Sequence, residues 1–369
     1  MNRAANPRSL LTTALLGCLM LAIPACQMPS HGRRARRDAE QRWRLSQADV
    51  KARLAADRLA AGDIRQASEE IAEARRLAPD NPGLKLLEAR TLLAAGRFAR
   101  ARGVLNAITG PTRRGGEVAY LLGVIAQQRN DWDAALDQYL TAARQKPDVP
   151  EYVVAAAEVQ LQLGRPTEAL ELLDSCKRRL GFQPAWLAAR AECLEQLDRW
   201  DEAADTWQRV AGTSDAEHVS ERLALALMRA GDWNRATPLL RRLVQAAGPD
   251  EALPLRLALA ECLLETGDRD GARRQILSVL EAKPRNLPAL RLLARVLAAA
   301  GHYRRGLNVA TQILDIAPDD TQGLELAAAL AYKIGEYDRA ARWSRRLACA
   351  DPHTPNPIAS RILARRAAK

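Results

Sequence analysis

The sequence predicts an all-α protein, a solenoid of stacked helix-turn-helix units. Three observations predict this fold. A pattern of residue types returns about every 34 residues, two positions in each repeat are always small, and a glycine-like residue lies between them. The pattern is clearest from Asp131 to Pro147. A single helix pair cannot bury its own apolar face, so neighbouring units must stack into a continuous core.

The repeats divide the chain into nine consecutive blocks. They are predicted at residues 48–81, 82–115, 116–149, 150–183, 184–216, 217–250, 253–286, 287–320 and 321–354. Glu251 and Ala252 form an insertion between the sixth and seventh blocks. The blocks leave no stretch long enough for a separate catalytic domain, which would need roughly 100 residues.

Small residues mark two positions in every block. The eighth position holds Ala55, Ala89, Gly123, Ala157, Ala191, Ala224, Ala260, Ala294 and Ala328. The twentieth holds Ala67, Ala101, Ala135, Ala169, Ala203, Ala236, Ala272, Gly306 and Ala340. Small side chains at two fixed places indicate two helices whose backbones approach closely.

Turn residues separate the two helices of each block. The fifteenth position holds Gly62, Gly96, Asn130, Gly164, Asp198, Gly231, Gly267, Gly301 and Gly335. These residue types tolerate the left-handed conformation that ends a helix. Position 17 is aromatic in six blocks: Phe98, Trp132, Trp200, Trp233, Tyr303 and Tyr337. Position 32 is proline in five, which stops the second helix: Pro79, Pro147, Pro284, Pro318 and Pro352.

Together these positions resemble the tetratricopeptide repeat, over residues 48–354. The resemblance implies a right-handed superhelix in which the first helices line a concave, partner-binding surface. Residues 355–369 are expected to form a helix that caps the open end. The pattern departs from the family at Arg113, where proline is usual, and at Pro166 and Arg269, where an aromatic residue is usual.

The amino-terminal segment is predicted to be an export signal. Residues 1–25 combine two arginines with an apolar run that is too short to span a bilayer, which needs about 20 apolar residues. The segment from Ile23 to Cys26 resembles the bacterial lipobox, so Cys26 is the expected lipidation site. Cys18 is the alternative site, and plain secretion after cleavage at Ala25 is the alternative without a lipid.

Residues 26–47 are expected to form a basic linker and the start of the first helix, near Asp38. Arg33, Arg34, Arg36 and Arg37 would face anionic lipid headgroups or form a solvated linker. The expected location is a membrane-anchored lipoprotein facing the periplasm. Gln27 favours the outer membrane, because it is not the aspartate that retains some lipoproteins at the inner membrane. A soluble periplasmic or secreted protein is the alternative.

The resemblance also implies which residues line the concave surface. An apolar set comprises Leu86, Leu93, Tyr120, Val124, Val154 and Leu161. An acidic set comprises Glu151, Glu158, Glu192, Glu195, Glu221, Glu261 and Glu265, with Arg229 as the one arginine among them. Arginine pairs recur on the second helices and are expected to face outward. The alternative is that these glutamates are good helix formers on an ordinary solvated face.

The sequence shows no group of residues with the spacing of a catalytic or metal-binding site. The histidines lie far apart, so no metal site, cofactor or catalytic centre is predicted. Cys193 and Cys262 are expected to be buried thiols, with a Cys176–Cys193 disulfide as a less favoured alternative. The tryptophans Trp132, Trp200 and Trp233 are expected to lie in the core.

The expected function is therefore a non-enzymatic scaffold in the bacterial envelope. It would bind a segment of another protein in its groove and support assembly or secretion machinery. A non-catalytic regulatory subunit of an envelope enzyme complex is the alternative. The formal charge of +11 also raises RNA binding by a helical repeat. No nucleic acid is expected, because much of the predicted groove is acidic.

Overall fold

A computed structural model describes residues 30–108, 115–213 and 217–351, and over these ranges the chain is entirely helical, with nineteen helices and no strand. The chain divides into two compact units, Met1–Gln145 and Lys146–Lys369. The predicted signal segment with Cys18 and Cys26, the departure from the repeat pattern at Arg113, and the predicted capping segment 355–369 lie outside the described residues.

The first unit contains three helix pairs. They are α1 (Ser30–Ala60) with α2 (Ile64–Leu77), α3 (Pro82–Ala94) with α4 (Phe98–Asn106), and α5 (Gly115–Gln128) with α6 (Trp132–Gln145). Helix α1 begins earlier than the start expected near Asp38 and is the longest of the nineteen.

The second unit contains six helix pairs and one short extra helix. The pairs are α7 (Pro150–Gln162) with α8 (Pro166–Ser175), α10 (Pro184–Gln196) with α11 (Trp200–Ala211), α12 (Glu217–Arg229) with α13 (Trp233–Ala246), α14 (Ala252–Glu265) with α15 (Arg269–Ala282), α16 (Leu287–Ala299) with α17 (Tyr303–Ile316), and α18 (Thr321–Lys333) with α19 (Tyr337–Ala350). The extra helix, α9 (Lys177–Leu180), follows α8 after Cys176.

The predicted turns are confirmed in all nine pairs. Every residue at the fifteenth position has a positive φ, from 55° at Asp198 to 89° at Gly267. At one of them, the Gly96 amide donates to the Leu93 carbonyl at 2.9 Å and the Arg97 amide donates to the Leu92 carbonyl at 2.8 Å. These two bonds satisfy carbonyls that a helix end leaves unpaired.

Two glycines near the α3–α4 turn allow us to measure how strongly the turn requires a residue that tolerates a left-handed φ. A Cβ added to either Gly96 or Gly103 meets no atom within 4 Å, but only Gly96 has a left-handed φ, of +70°. Gly96→Ala is therefore expected to lower the free energy of unfolding by about 1–2 kcal/mol. Gly103→Ala, inside α4, is expected to raise it by about 0.5–1 kcal/mol.

The measurement is urea unfolding of each variant, followed by circular dichroism at the helical band. Gly96→Asn serves as a second comparison, because asparagine occupies the same turn position at Asn130. It is expected to cost less than alanine. Equal effects of Gly96→Ala and Gly103→Ala would contradict the requirement for a left-handed residue.

The small residues at the eighth and twentieth positions are buried, as predicted. Their alanines are at most 1% exposed. In the first unit, Ala89 and Ala101 form a core cluster with Leu86 and Leu105. The small residues thus let the larger side chains of adjacent helices interdigitate around close backbones.

The aromatic residues at position 17 begin the second helices but are only half-buried. The expectation that Trp132, Trp200 and Trp233 lie in the core is therefore wrong, because the first residue of a helix lies at the edge of the stack. The deeply buried tryptophans are Trp186 and Trp207, at 0% and 2% exposure.

An apolar stripe on α1 stays exposed. Trp43, Val50 and Leu54 are 60%, 57% and 36% exposed. By helical periodicity they lie opposite the buried Ala48 and Ala55. These three side chains therefore do not enter the core.

Candidate binding surface of the first helices

We call the solvent-accessible face of the first helix in each pair the first-helix surface, and describe it separately for each unit. In the first unit, the prediction that Leu86 lines an open surface is wrong. Leu86 is 1% exposed because it fills the core cluster beside Ala89 and Leu105. Leu93, Tyr120 and Val124 are half-buried. The Tyr120 ring centroid lies 5.5 Å from that of Tyr139.

In the second unit, the apolar positions also contribute more to the core than to the surface. Leu161 is 8% exposed and so is not an open groove residue, whereas Val154 is half-buried. The acidic positions remain accessible. Glu158, Glu221 and Glu265 are exposed, and Glu192, Glu195 and Glu261 are partly buried, as judged over the whole residue. The accessible surface of this unit is therefore charged.

An arginine that the sequence analysis did not select joins two of these glutamates. Arg222 of α12 places its Nη2 2.6 Å from Glu195 Oε2 and 3.8 Å from Glu192 Oε1, both on α10. Arg222 lies next to the predicted Glu221 but one position away from the columns assigned to the groove. It was missed because those columns describe an average helix face, while a long arginine side chain reaches beyond it.

Glu195 is held from a second side by Trp207 of α11. The Trp207 indole Nε1 donates to Glu195 Oε1 at 2.6 Å, and the Arg222 guanidinium lies 5.5 Å from the centre of the Trp207 ring. The same contact recurs in the first unit, where the Tyr139 hydroxyl donates to Gln127 Oε1 at 2.6 Å. The sequence signal for this hydrogen bond is an aromatic donor at position 24 of a block together with an acceptor at position 12.

A second arginine bridge joins α14 and α16. Arg295 places Nη1 3.0 Å from Glu261 Oε1 and Nη2 3.0 Å from Glu265 Oε1. The predicted acidic strip is thus interrupted by arginines from neighbouring helices. Its partly exposed ion pairs contribute little to stability individually, about 0–1 kcal/mol each, but they fix the spacing of charge along the surface.

Two carboxyl groups on this surface hold their protons more tightly than usual. Burial raises the pKa of Glu195, and this effect exceeds the lowering by the Trp207 indole and by Arg222. Desolvation raises the pKa of Glu158, and the negative charge of Glu192 raises it further. Both groups therefore favour the neutral form more than a free glutamate does.

These shifts predict a pH dependence of stability. Since the folded pKa of Glu195 lies above the unfolded value of about 4.3, the folded unit binds this proton more tightly than the unfolded chain. The free energy of unfolding should fall as pH rises from the unfolded pKa through the raised one. Glu195→Gln keeps an acceptor for Trp207 and is expected to flatten this decline.

The test is thermal unfolding across pH 3.5 to 7.5, an interval chosen to bracket the unfolded pKa of about 4.3. Glu281→Gln, on the exposed surface of α15, is the matched control for removing one negative charge. If Glu195→Gln and the native chain lose stability in parallel over this range, Glu195 does not contribute to the decline.

The cysteines of the described residues are free thiols, including both members of the Cys176–Cys193 pair. Cys193 and Cys262 are 0% exposed, so the prediction of buried thiols is confirmed. Burial raises the pKa of each to about 12, which keeps both protonated and unreactive. In residues 30–108, 115–213 and 217–351, no three histidine, cysteine, aspartate or glutamate side chains are grouped to hold a metal ion.

Stacked helix pairs with left-handed turns and a charged first-helix surface define a helical-repeat binding protein. The chain belongs to the tetratricopeptide repeat family. Models of this family match residues 58–125 and 227–296, and residues 120–184 and 291–355. Repeats of this type are protein-interaction units and are typically non-catalytic, so the chain is a protein-interaction scaffold in this broad sense.

Two similar curated proteins are both called cellulose synthase operon protein C. The protein from Xanthomonas axonopodis pv. citri is 29% identical over 293 residues, covering 73% of this chain and 19% of its own length. The protein from Pseudomonas fluorescens is 23% identical over 321 residues, covering 81% of this chain and 25% of its own length. The chain thus spans a quarter or less of these relatives.

A solved structure shows the same fold. It is the C-terminal part of a TPR repeat-containing protein from Cytophaga hutchinsonii, with a TM-score of 0.53 and 14% identity. The match covers 65% of this chain and 98% of that one. Within the described part of the chain, no helix has both the length and the apolar character to cross a membrane.

Proposed function

We propose that the first-helix surface of the second unit binds a basic segment of another protein. The observation that supports this is the distribution of charge. Arg222 and Arg295 engage two pairs of glutamates, whereas Glu158 and Glu221 make no ion pair with another described residue. The negative charge of Glu192 repels the Glu158 carboxylate, and this repulsion destabilises the unbound surface. A lysine or arginine side chain of the partner beside Glu158 would offset the repulsion.

We also propose that this binding takes place in the bacterial envelope. The lipid would be attached at Cys26, or at Cys18. The basic residues expected in a linker, among them Arg34, Arg36 and Arg37, belong to α1 in the structure, and this end of the helix would lie against the membrane surface. Mass spectrometry of the amino-terminal peptide from native and Cys26→Ser protein tests this anchor. A diacylglycerol-modified Cys26 peptide that is lost in the variant supports it, and an unmodified amino terminus on native protein contradicts it.

A second candidate function is favoured by the names of the relatives. Two proteins of this sequence type are named for a cellulose synthase operon. We therefore also propose that the chain is a non-catalytic subunit of an envelope complex that makes or exports a polysaccharide. In that case the protein bound by the first-helix surface would be another subunit of the complex.

Photo-crosslinking in living cells tests the binding surface. A crosslinking residue is placed at Glu158 or at Glu265, both exposed, and the captured protein is identified by mass spectrometry. The same protein is expected from both positions. Arg304, exposed on α17, is the matched position on a second helix and should capture much less.

Charge reversal then tests the chemistry of the partner. Glu261→Arg with Glu265→Arg is expected to reduce capture at Glu158 at least about tenfold, since like charges across an interface oppose binding. Glu281→Arg, on α15, is the matched control and should leave capture unchanged. Equal capture from Glu158 and Arg304, or capture that survives the double reversal, would overturn the proposal.

A further inference from the structure

A second charged site lies in the second unit, in a cleft between α13, α14 and α15. Its volume is about 680 Å³. The cleft borders the connection from Ala247 to Glu251, where the two-residue insertion lengthens the chain. Three arginines, Arg241, Arg256 and Arg274, line it, one from each helix.

These three arginines have no carboxylate partner in the described part of the chain. Arg241, Arg256 and Arg274 make no ion pair with any carboxylate of the described residues. Arg256 Nη1 donates to the Gln275 side-chain oxygen at 3.0 Å, which orients the guanidinium. The acid lining the cleft is Asp268, and one of its oxygens accepts from the Gly271 amide at 2.8 Å at the start of α15.

The equivalent positions of the first block show a cation that is paired with two acids. Lys51 occupies the same place in its block as Arg256, and its Nζ lies 2.7 Å from Glu70 and 2.8 Å from Glu73. In the seventh block the two acids are replaced by Gln275 and Ser278. The cation is retained while both of its carboxylates are lost.

The Asp174 carboxylate of the fourth block also has no counterpart at the same position of the sixth block. Asp174 of α8 accepts from Arg190 Nε at 2.9 Å across the junction with the next pair. The residue at the same place on α13 is Arg241. The cleft therefore has a positive charge at a position that carries a negative one in the fourth block.

We propose that this cleft binds a carboxylate of an acidic protein segment. A carboxylate matches the fork of a guanidinium with two parallel hydrogen bonds, and carboxylates occupy the equivalent positions in the first block and in the fourth. The cleft is also lined by Val244, Pro249, Leu259 and Leu263, which suits an apolar side chain next to the acid. The site does not include the glutamates of the first-helix surface, and it selects the opposite charge.

Fluorescence anisotropy with the full chain tests the site. The probe is a labelled decapeptide of alternating glutamate and leucine. Arg256→Gln and Arg241→Gln are each expected to weaken binding about tenfold, the loss typical of a charge-assisted hydrogen-bonded pair. Arg304→Gln, an exposed arginine on α17, is the matched control and should bind like the native chain.

Arg241→Asp provides a second, independent test. It introduces the carboxylate that Asp174 provides in the equivalent place, so it should occupy the cleft internally. Peptide binding is expected to be lost while the melting temperature is unchanged or raised, which separates loss of the site from loss of folding. Binding that persists in Arg241→Asp would overturn the proposal.

The chemical class is tested by changing the anion. The same peptide with glutamine in place of glutamate should not bind. Acetate should displace the labelled peptide at lower concentration than chloride at equal ionic strength. A cleft that binds inorganic phosphate but neither the glutamate peptide nor acetate would be a phosphate site, and this result would overturn the assignment to an acidic protein segment.

Discussion

Replacing Trp186 with alanine is expected to lower the free energy of unfolding by about 3–5 kcal/mol, the range for truncating a large buried aromatic side chain. Trp186 is 0% exposed on α10, and its indole Nε1 donates to the Leu173 carbonyl of α8 at 3.1 Å. The substitution would leave a cavity between two successive helix pairs and remove one of the two hydrogen bonds to the Leu173 carbonyl, which also accepts from the Cys176 amide at 3.0 Å. Urea unfolding followed by circular dichroism measures the loss.

Two further substitutions separate the causes. Trp186→Phe keeps most of the buried volume but removes the donor, so it is expected to cost less than alanine, about 1–2 kcal/mol. Phe182→Ala removes an aromatic side chain that is 67% exposed, four residues away, and should change stability by less than about 0.5 kcal/mol. A loss for Trp186→Ala no larger than that for Phe182→Ala would contradict a packing role at this junction.

Adding one methyl group at Gly123 is expected to cost about 1–3 kcal/mol, the range for overpacking a core. A Cβ there would lie 2.6 Å from two ring carbons of Tyr139. The ring cannot easily move, because Tyr139 is 1% exposed and its hydroxyl is bonded to Gln127. Hydrogen exchange of the α5 and α6 amides, together with urea unfolding of Gly123→Ala, measures the effect.

Gly306→Ala is the matched control for Gly123→Ala. A Cβ at Gly306 would meet the flexible Leu330 Cδ1 at 3.3 Å, so the gain in helix propensity, up to about 1 kcal/mol, should offset the contact. Tyr139→Leu should relieve the clash, and Gly123→Ala is expected to cost much less in that background. An equal cost with and without the tyrosine ring would show that the ring is not the obstacle.

Most of the fold could be predicted from the sequence because its determinants are local and repeated. A left-handed turn needs a particular residue type whatever surrounds it, and in the described part of the chain the residues with positive φ are the nine at the fifteenth position of the blocks. Close helix contacts need small side chains, which identified the alanines. The burial of the aromatic side chains could not be predicted from such local patterns, since it depends on which helices lie beside Trp132 or Trp186.

The binding surface was predicted less well. Spacing along a helix gives the direction of a Cα–Cβ bond, but not the reach of a long side chain or its partner on another helix. Arg222 was missed for this reason, and Leu86 was assigned to a surface although it fills the core. The contact of Glu195 with Trp207 lies within one repeat, but the contact with Arg222 reaches the next repeat, so no single repeat contains both.

The insertion at Glu251 and Ala252 has a consequence for how such a chain can change during evolution. Helices α14 and α15 keep their buried Ala260 and Ala272 despite the added residues, because each helix pair sets its own packing register. In a β-sheet, one extra residue would turn the following side chains to the opposite face. Here the added residues lie at the end of the connection and at the first position of α14, so the chain between two pairs can lengthen without shifting the packing of the helices that follow.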